Sequence, residues 1–149
     1  MLNKITMMEC FKELDKNLTE NLNLLIGGGA ALILGGTTSF TTFDIDAMPF
    51  KSSIGPHDLR AYRDKVSAKL NIPKDWINEY FYQFSHSLPL DYGDRIKEIF
   101  KGKKLTCYIL SPTDLVIMKC FARREKDELH IRYLLKQGNV KIDFIDDYL

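Results

Sequence analysis

The sequence predicts an α+β fold: a small mixed sheet packed against several helices. Three observations lead there. Short apolar runs at 22–26 and 105–111 have strand length. Longer stretches at 4–20, 57–70, 112–124 and 126–137 place apolar residues at spacings of three and four, as helices do. The two patterns do not alternate strictly, so a sheet with helices against it fits better than a doubly wound parallel sheet. The 149 residues suit a single domain, 1–149.

Taken in order, Ile5, Met8, Phe11, Leu14 and Leu18 form one face of an amphipathic helix. "LNLLI" (22–26) is a short strand that stops at Gly27-Gly28-Gly29. "AALIL" (30–34) is a short helix, apolar all round and therefore buried, closed by Gly35-Gly36. A threonine-rich loop leads to "TTFDIDAMPF", a second strand closed by Pro49. Pro56 opens a helix with Leu59, Tyr62, Val66 and Leu70 on its inner face. "NIPKDWINEYFYQF" is predicted to open another helix, with Trp76, Tyr80 and Phe84 on one stripe. "DYGDRIKEIFKGKK" is predicted as loop, helical turn and basic turn. "LTCYILS" is the third strand, Ser111-Pro112 caps the helix "PTDLVIMKCFARR", and a last helix runs through "KDELHIRYLLKQG" to Gly138. The tail "NVKIDFIDDYL" fits a short helix or a strand.

A net charge of +1 gives no global attraction to polynucleotides or membranes, so a polynucleotide partner needs a local patch. Two basic clusters qualify, Lys101 with Lys103 and Lys104, and Arg123 with Arg124 and Lys126, although such runs are commonly solvated helix faces. Three separated cysteines, with no C-x-x-C pair, argue against a common zinc site and for a reducing, cytoplasmic setting. The longest apolar run is too short to cross a bilayer, so no membrane partner is expected.

The chemistry concentrates in "IGGGAALILGGTTSFTTFDIDAM". On a strand, residues i and i+2 face the same way, so Asp44 and Asp46 present two carboxylates roughly 7 Å apart along one face. Hard oxygen ligands of this kind suit Mg²⁺, which is commonly held by one or two carboxylates plus substrate phosphates. Ile45 points the other way, into the core. Gly28 and Gly29 lie between a strand and a helix start, where glycine permits close backbone approach and the helix terminus favours an anion. The pattern would cradle a triphosphate beside the metal. A P-loop is excluded because Thr37, with no lysine, follows Gly36; a dinucleotide fingerprint would need glycine at Leu32; an EF-hand would need an oxygen ligand at Met48.

This segment resembles the nucleotidyltransferase signature: a glycine pair after a strand, a short helix, then D-x-D on the next strand. More narrowly it is similar to minimal bacterial proteins related to the AbiEii abortive-infection toxins. Their "G-G-x-A…T-x-D-I-D" core is matched by Gly28, Gly29, Ala31, Thr42, Asp44, Ile45 and Asp46. "PKDWINEY" echoes a proline, tryptophan and asparagine segment of theirs, and "PTDLVIMKCFARREKDELHIRYLL" their C-terminal region. The resemblance spans about residues 24–135.

It implies a Mg²⁺-dependent transfer of a nucleotidyl group from an NTP to a hydroxyl acceptor, an RNA such as tRNA or a protein. It also implies a toxin–antitoxin role with an antitoxin protein partner. By the same resemblance Gly28, Gly29, Thr42 and Lys119 bind the nucleotide, Asp44 and Asp46 hold the metal, and Lys119 and Asp127 complete the catalytic set. Lys119 would neutralise phosphate charge; Asp127 would activate the acceptor or orient Lys119. Structural roles stay open for both: Lys119 sits on an apolar helix and can snorkel, and Asp127 suits a helix N-terminus. Asp114 is expected to serve the first turn of its helix rather than a ligand. Three departures point to the alternative, a catalytically degenerate module binding nucleotide or a protein. "KLTCYILS" lacks the third carboxylate common in the superfamily, Phe40 stands where relatives often carry arginine, and His130 where they often carry an acid.

Overall fold

The computed structural model describes residues 1–36, 41–122, 125–138 and 140–149, and at 56, 80, 81, 84, 122 and 125–127 the backbone alone. Phe40, Arg123 and Arg124, and the side chains of Tyr80, Phe84, Lys126 and Asp127, lie outside the described residues.

The fold is α+β, as the sequence predicts. The strands are β1 (Leu22–Ile26), β2 (Ile45–Pro49), β3 (Ile77–Asn78), β4 (Lys97–Lys101) and β5 (Leu105–Ile109). The helices are α1 (Lys4–Asn17), α2 (Gly28–Gly35), α3 (Pro56–Leu70), α4 (Pro112–Ala122), α5 (Glu125–Gln137) and α6 (Ile142–Tyr148). The five strands form one mixed sheet in the order β3-β2-β1-β5-β4. β1 runs antiparallel to β2 and parallel to β5, with Ile26 opposite Ala47 on one side and Ile109 on the other.

Central β1 is buried at the consecutive residues Leu24, Leu25 and Ile26, which requires cover on both sheet faces. α1 packs against α3 and β5, while α2 packs against β2, β5 and α4. α2 is buried from Ala30 through Leu34, as its uniformly apolar sequence demands.

Several elements depart from the sequence expectation. α1 begins in a capping box, with Asn3 accepting from the amide of Thr6. Its inner face is Met7, Cys10, Phe11 and Leu14, leaving Ile5 exposed. The predicted helix at 71–84 does not form. Asn71 instead ends α3 in the left-handed conformation, followed by a 3-10 turn (Lys74–Trp76), β3, and a 3-10 run (Tyr80–Ser87). Trp76 is the reason for the break: its indole is buried and donates to the carbonyl of Arg63 at 3.0 Å, which directs the chain along the sheet edge. The predicted helical turn near 97 is β4, antiparallel to β5. The tail resolves as α6. Cys107 is buried as expected, and Cys120 is half-buried.

Candidate functional site

β1 delivers the chain to Gly27, whose amide donates to the carbonyl of Asp46 at 2.9 Å. That bond ties the glycine turn directly to the D-x-D strand. Gly28, the first residue of α2, has φ +58°, in the left-handed region that glycine enters without penalty. A Cβ at this position would overlap Oδ2 of Asp46. Glycine is therefore required twice over, by backbone conformation and by the carboxylate packed against it.

Asp46 is the second residue of β2 and is buried; Asp44 stands one residue before the strand, not on it. Both side chains nevertheless line one pocket, and Ile45 between them is fully buried on the other side. The backbone is held just upstream, where Leu2 and Thr42 exchange two hydrogen bonds of 2.7 and 3.1 Å. Asn78 of β3 sits beside Asp46 in the sheet register, and its amide donates to Oδ2 of Asp44 at 2.7 Å.

The pocket holds about 190 Å³ and is lined by Gly29, Thr42, Asp44, Asp46, Lys119 and His130 among others. Lys119 arrives from α4. Its side chain is only 3% exposed, so it does not snorkel to bulk water. Its Nζ lies 2.8 Å from Nδ1 of His130 on α5. His130 Cε1 also comes within 3.8 Å of a Cβ built on Gly29, which places the imidazole over the start of α2. The sequence-predicted residues Gly29, Thr42, Asp44, Asp46 and Lys119 thus meet at one pocket, with Gly28 behind Asp46. The Asp127 side chain lies outside the described residues.

Asp114 has a different place. It is fully buried, receives two hydrogen bonds from Arg95 at 2.8 and 2.9 Å, and one from the Ser111 hydroxyl at 2.6 Å. Its own amide donates to Ser111, so it fastens the start of α4, as expected of a first-turn residue. Lys101, Lys103 and Lys104 are exposed at the β4–β5 turn.

The site joins two carboxylates, one ammonium and a helix start, a set that can bind a polyanion together with a divalent ion. Among the described residues no group of three or more His, Cys, Asp or Glu side chains could enclose a metal. A self-sufficient cage of the calcium or zinc kind is thus not built from them. Two hard carboxylates fit Mg²⁺, which keeps waters and takes phosphate oxygens to complete its shell.

The family model described as "nucleotidyltransferase of unknown function (DUF6036)" matches residues 5–147, nearly the whole chain. The chain belongs to this family. No curated protein and no solved structure matches it significantly. Membership in a nucleotidyltransferase family agrees with the glycine turn, short helix and D-x-D order found here. Two pocket or support residues escaped the sequence reading. Asn78 was legible only as part of the "PKDWINEY" echo, and His130 only as a departure from an expected acid.

Proposed function

We propose that the chain transfers a nucleotidyl group from an NTP to a hydroxyl acceptor. The observation that carries this reading is the convergence of Gly29, Thr42, Asp44, Asp46 and Lys119, from three separate segments, on one pocket. In the reaction the acceptor oxygen bonds to the α-phosphorus, the bond from that phosphorus to the bridging oxygen breaks, and pyrophosphate leaves with the electron pair. Asp44 and Asp46 would hold Mg²⁺, which when bound offsets phosphate charge and aligns attacking and leaving oxygens. Asn78 fixes the rotamer of Asp44 in advance. The first turn of α2 offers amides and a positive dipole end to the phosphates. Lys119, held by His130 in a water-poor pocket, meets negative charge that grows on the phosphoryl oxygens; charge stabilisation is strongest where water is excluded. The acceptor proton is assigned to Asp127 on the strength of the sequence motif.

The likeness to AbiEii-type proteins supports an RNA such as tRNA as acceptor, or a protein side chain, and a toxin role restrained by an antitoxin protein. Among the described residues no helix is long and apolar enough to cross a membrane. The exposed lysines at the β4–β5 turn form a positive patch at the Leu22–Leu105 end of the sheet, opposite the glycine turn, which an RNA backbone would reach only by running past the pocket.

A second reading, a degenerate module that binds nucleotide without transfer, is favoured by β5. That strand, the third by the sequence reading, carries no acidic residue, and β3, which pairs with β2, presents Asn78 and not an acid opposite Asp46. One experiment separates the two. The chain is incubated with each labelled NTP, Mg²⁺ and total RNA or lysate. Transfer of label to RNA or protein, lost in folded Asp44→Ala and Asp46→Ala variants, is the expected result. Metal-independent nucleotide binding with no transfer would replace the enzyme reading by the module.

A further inference from the structure

Phe43 stands between the two chemical groups of the site, after Thr42 and before Asp44, and lines the same pocket. It is 77% exposed, the highest value among the described aromatic residues; Tyr82 stands at 52% and Phe121 at 47%. A single exposed apolar side chain is ordinary on a protein surface. What distinguishes this one is how firmly its backbone is held. On one side Thr42 is locked to Leu2 by two backbone hydrogen bonds. On the other, Asp44 is anchored by Asn78 and leads straight into β2. The ring is therefore presented on a fixed segment, not on a swinging loop tip. Presenting it forgoes the stabilisation that burying a phenyl ring would provide. Met1 and Thr41 line the pocket beside it, with the Thr41 hydroxyl donating to the Met1 sulfur at 3.6 Å.

We infer that Phe43 is a stacking platform for an unpaired nucleobase at the mouth of the pocket. This rests on the nucleotidyl-transfer reading and adds to it the part of the substrate that phosphate-binding groups cannot hold. A phosphate chain engaged by the first turn of α2, Lys119 and a metal on the two aspartates has no preference for what hangs from it. An aromatic face at the rim gives the attached base a partner that tolerates any sequence, because every base has a π-face. The base belongs either to the NTP or to the end of a single-stranded acceptor; the chemistry recognised is the same.

The test uses the full chain with Mg²⁺ and measures binding by calorimetry. Four ligands are compared: ATP, inorganic tripolyphosphate, a short single-stranded RNA, and the same RNA with an abasic terminal nucleotide. The variants are Phe43→Ala, Phe43→Leu, which keeps apolar bulk without a π-face, and Phe43→Trp. Because Phe43 is exposed, all three are expected to fold. Phe43→Ala and Phe43→Leu should weaken a base-containing ligand by about 5- to 150-fold, the range that base–aromatic stacking supplies. Tripolyphosphate and abasic RNA should bind the variants as they bind wild type, and Phe43→Trp should hold or improve affinity. Loss confined to ATP assigns the platform to the donor base, and loss confined to RNA assigns it to the acceptor; either supports the inference. Wild-type binding of ATP and RNA that Phe43→Ala leaves unchanged, or an equal loss for tripolyphosphate, overturns the platform alone. Failure of wild type to bind any of the four overturns the transfer reading and the platform with it.

Discussion

Nζ of Lys119 lies 2.8 Å from Nδ1 of His130, joining α4 to α5 across the pocket that holds both aspartates. The Lys119 side chain is almost fully enclosed, and this contact is one that fixes its position. The contact with Nδ1 aims the Lys119 side chain along the pocket. Lys119→Met keeps length without a charge and should lower nucleotidyl transfer by about 10²- to 10³-fold, as loss of one transition-state donor does elsewhere. Lys119→Arg should not restore it, since the planar guanidinium does not fit a space shaped for a compact ammonium. His130→Asn, which offers an amide oxygen near the Nδ1 position, should retain more kcat than His130→Ala. Steady-state label transfer, with thermal melting as the fold control, checks the series.

Gly28 and Gly29 should respond oppositely to alanine. At Gly28, φ +58° and the overlap with Asp46 Oδ2 both oppose a side chain. Gly28→Ala should destabilise the fold by about 1–3 kcal/mol and abolish metal-dependent NTP binding. At Gly29 the nearest described atoms to an added Cβ are those of Thr42 at 3.6 Å and His130 at 3.8 Å, ordinary contacts. Gly29→Ala should hold or raise stability by up to about 1 kcal/mol, since alanine is the better helix former, while its methyl narrows the pocket and weakens NTP binding. Urea denaturation and calorimetry read the two effects separately.

The Arg95–Asp114 pair is predicted to serve folding. Asp114 is fully buried with three side-chain donors, from Arg95 and Ser111. Asp114→Ala removes three side-chain hydrogen bonds from a buried position while Arg95 keeps its pair with Asp91, and should cost about 1–3 kcal/mol of stability. The double variant Arg95→Met with Asp114→Leu should recover much of that loss. Chemical denaturation of the single and double variants forms the check. Residual transfer activity should persist in whatever fraction remains folded.

The sequence yielded local features and missed those that depend on distant partners. β1, α2 and α4 were legible because apolar runs and glycine or proline stops lie within a few residues of one another. The D-x-D pair was legible from its i, i+2 spacing and its order after the glycine turn, although Asp44 proves to lie just before β2 and is held there by Asn78, which strand periodicity does not reveal. β4 was not, because a register shift between Glu98 and Phe100 breaks the two-residue alternation that marks a strand. The 71–84 stretch read as a helix since aromatic residues three and four apart suit that period, whereas the chain there follows a buried indole fixed to α3. Asn78 reaches Asp44 across 34 residues and His130 reaches Lys119 across 11, separations at which spacing carries no signal.

Asp15 gives the fold a defined acid limit. This residue of α1 reaches the β4–β5 turn, where its carboxylate accepts from the amides of Lys103, Lys104 and Leu105 at 2.8–3.1 Å. Gly102 is required beside it, because a Cβ there would collide with the same carboxylate. Burial pushes the Asp15 pKa upward, but the backbone donors, Lys104 first and then Leu105 and Lys103, outweigh it and hold the group below its ordinary 3.8. A depressed carboxylate binds its proton less readily folded than unfolded. Its stabilisation is therefore complete above the unfolded value and is lost as pH falls below about 4 and through the folded value. Asp15→Ala should lower stability at pH 7 by about 1–3 kcal/mol, as expected for hydrogen bonds to a charged acceptor. The variant should differ less from wild type as the pH drops below 4, since protonation removes from wild type what the mutation has already removed. Urea midpoints of both proteins between pH 2.5 and 7 measure this; a gap that stays constant across the range would show that the carboxylate charge is not what holds the turn to α1.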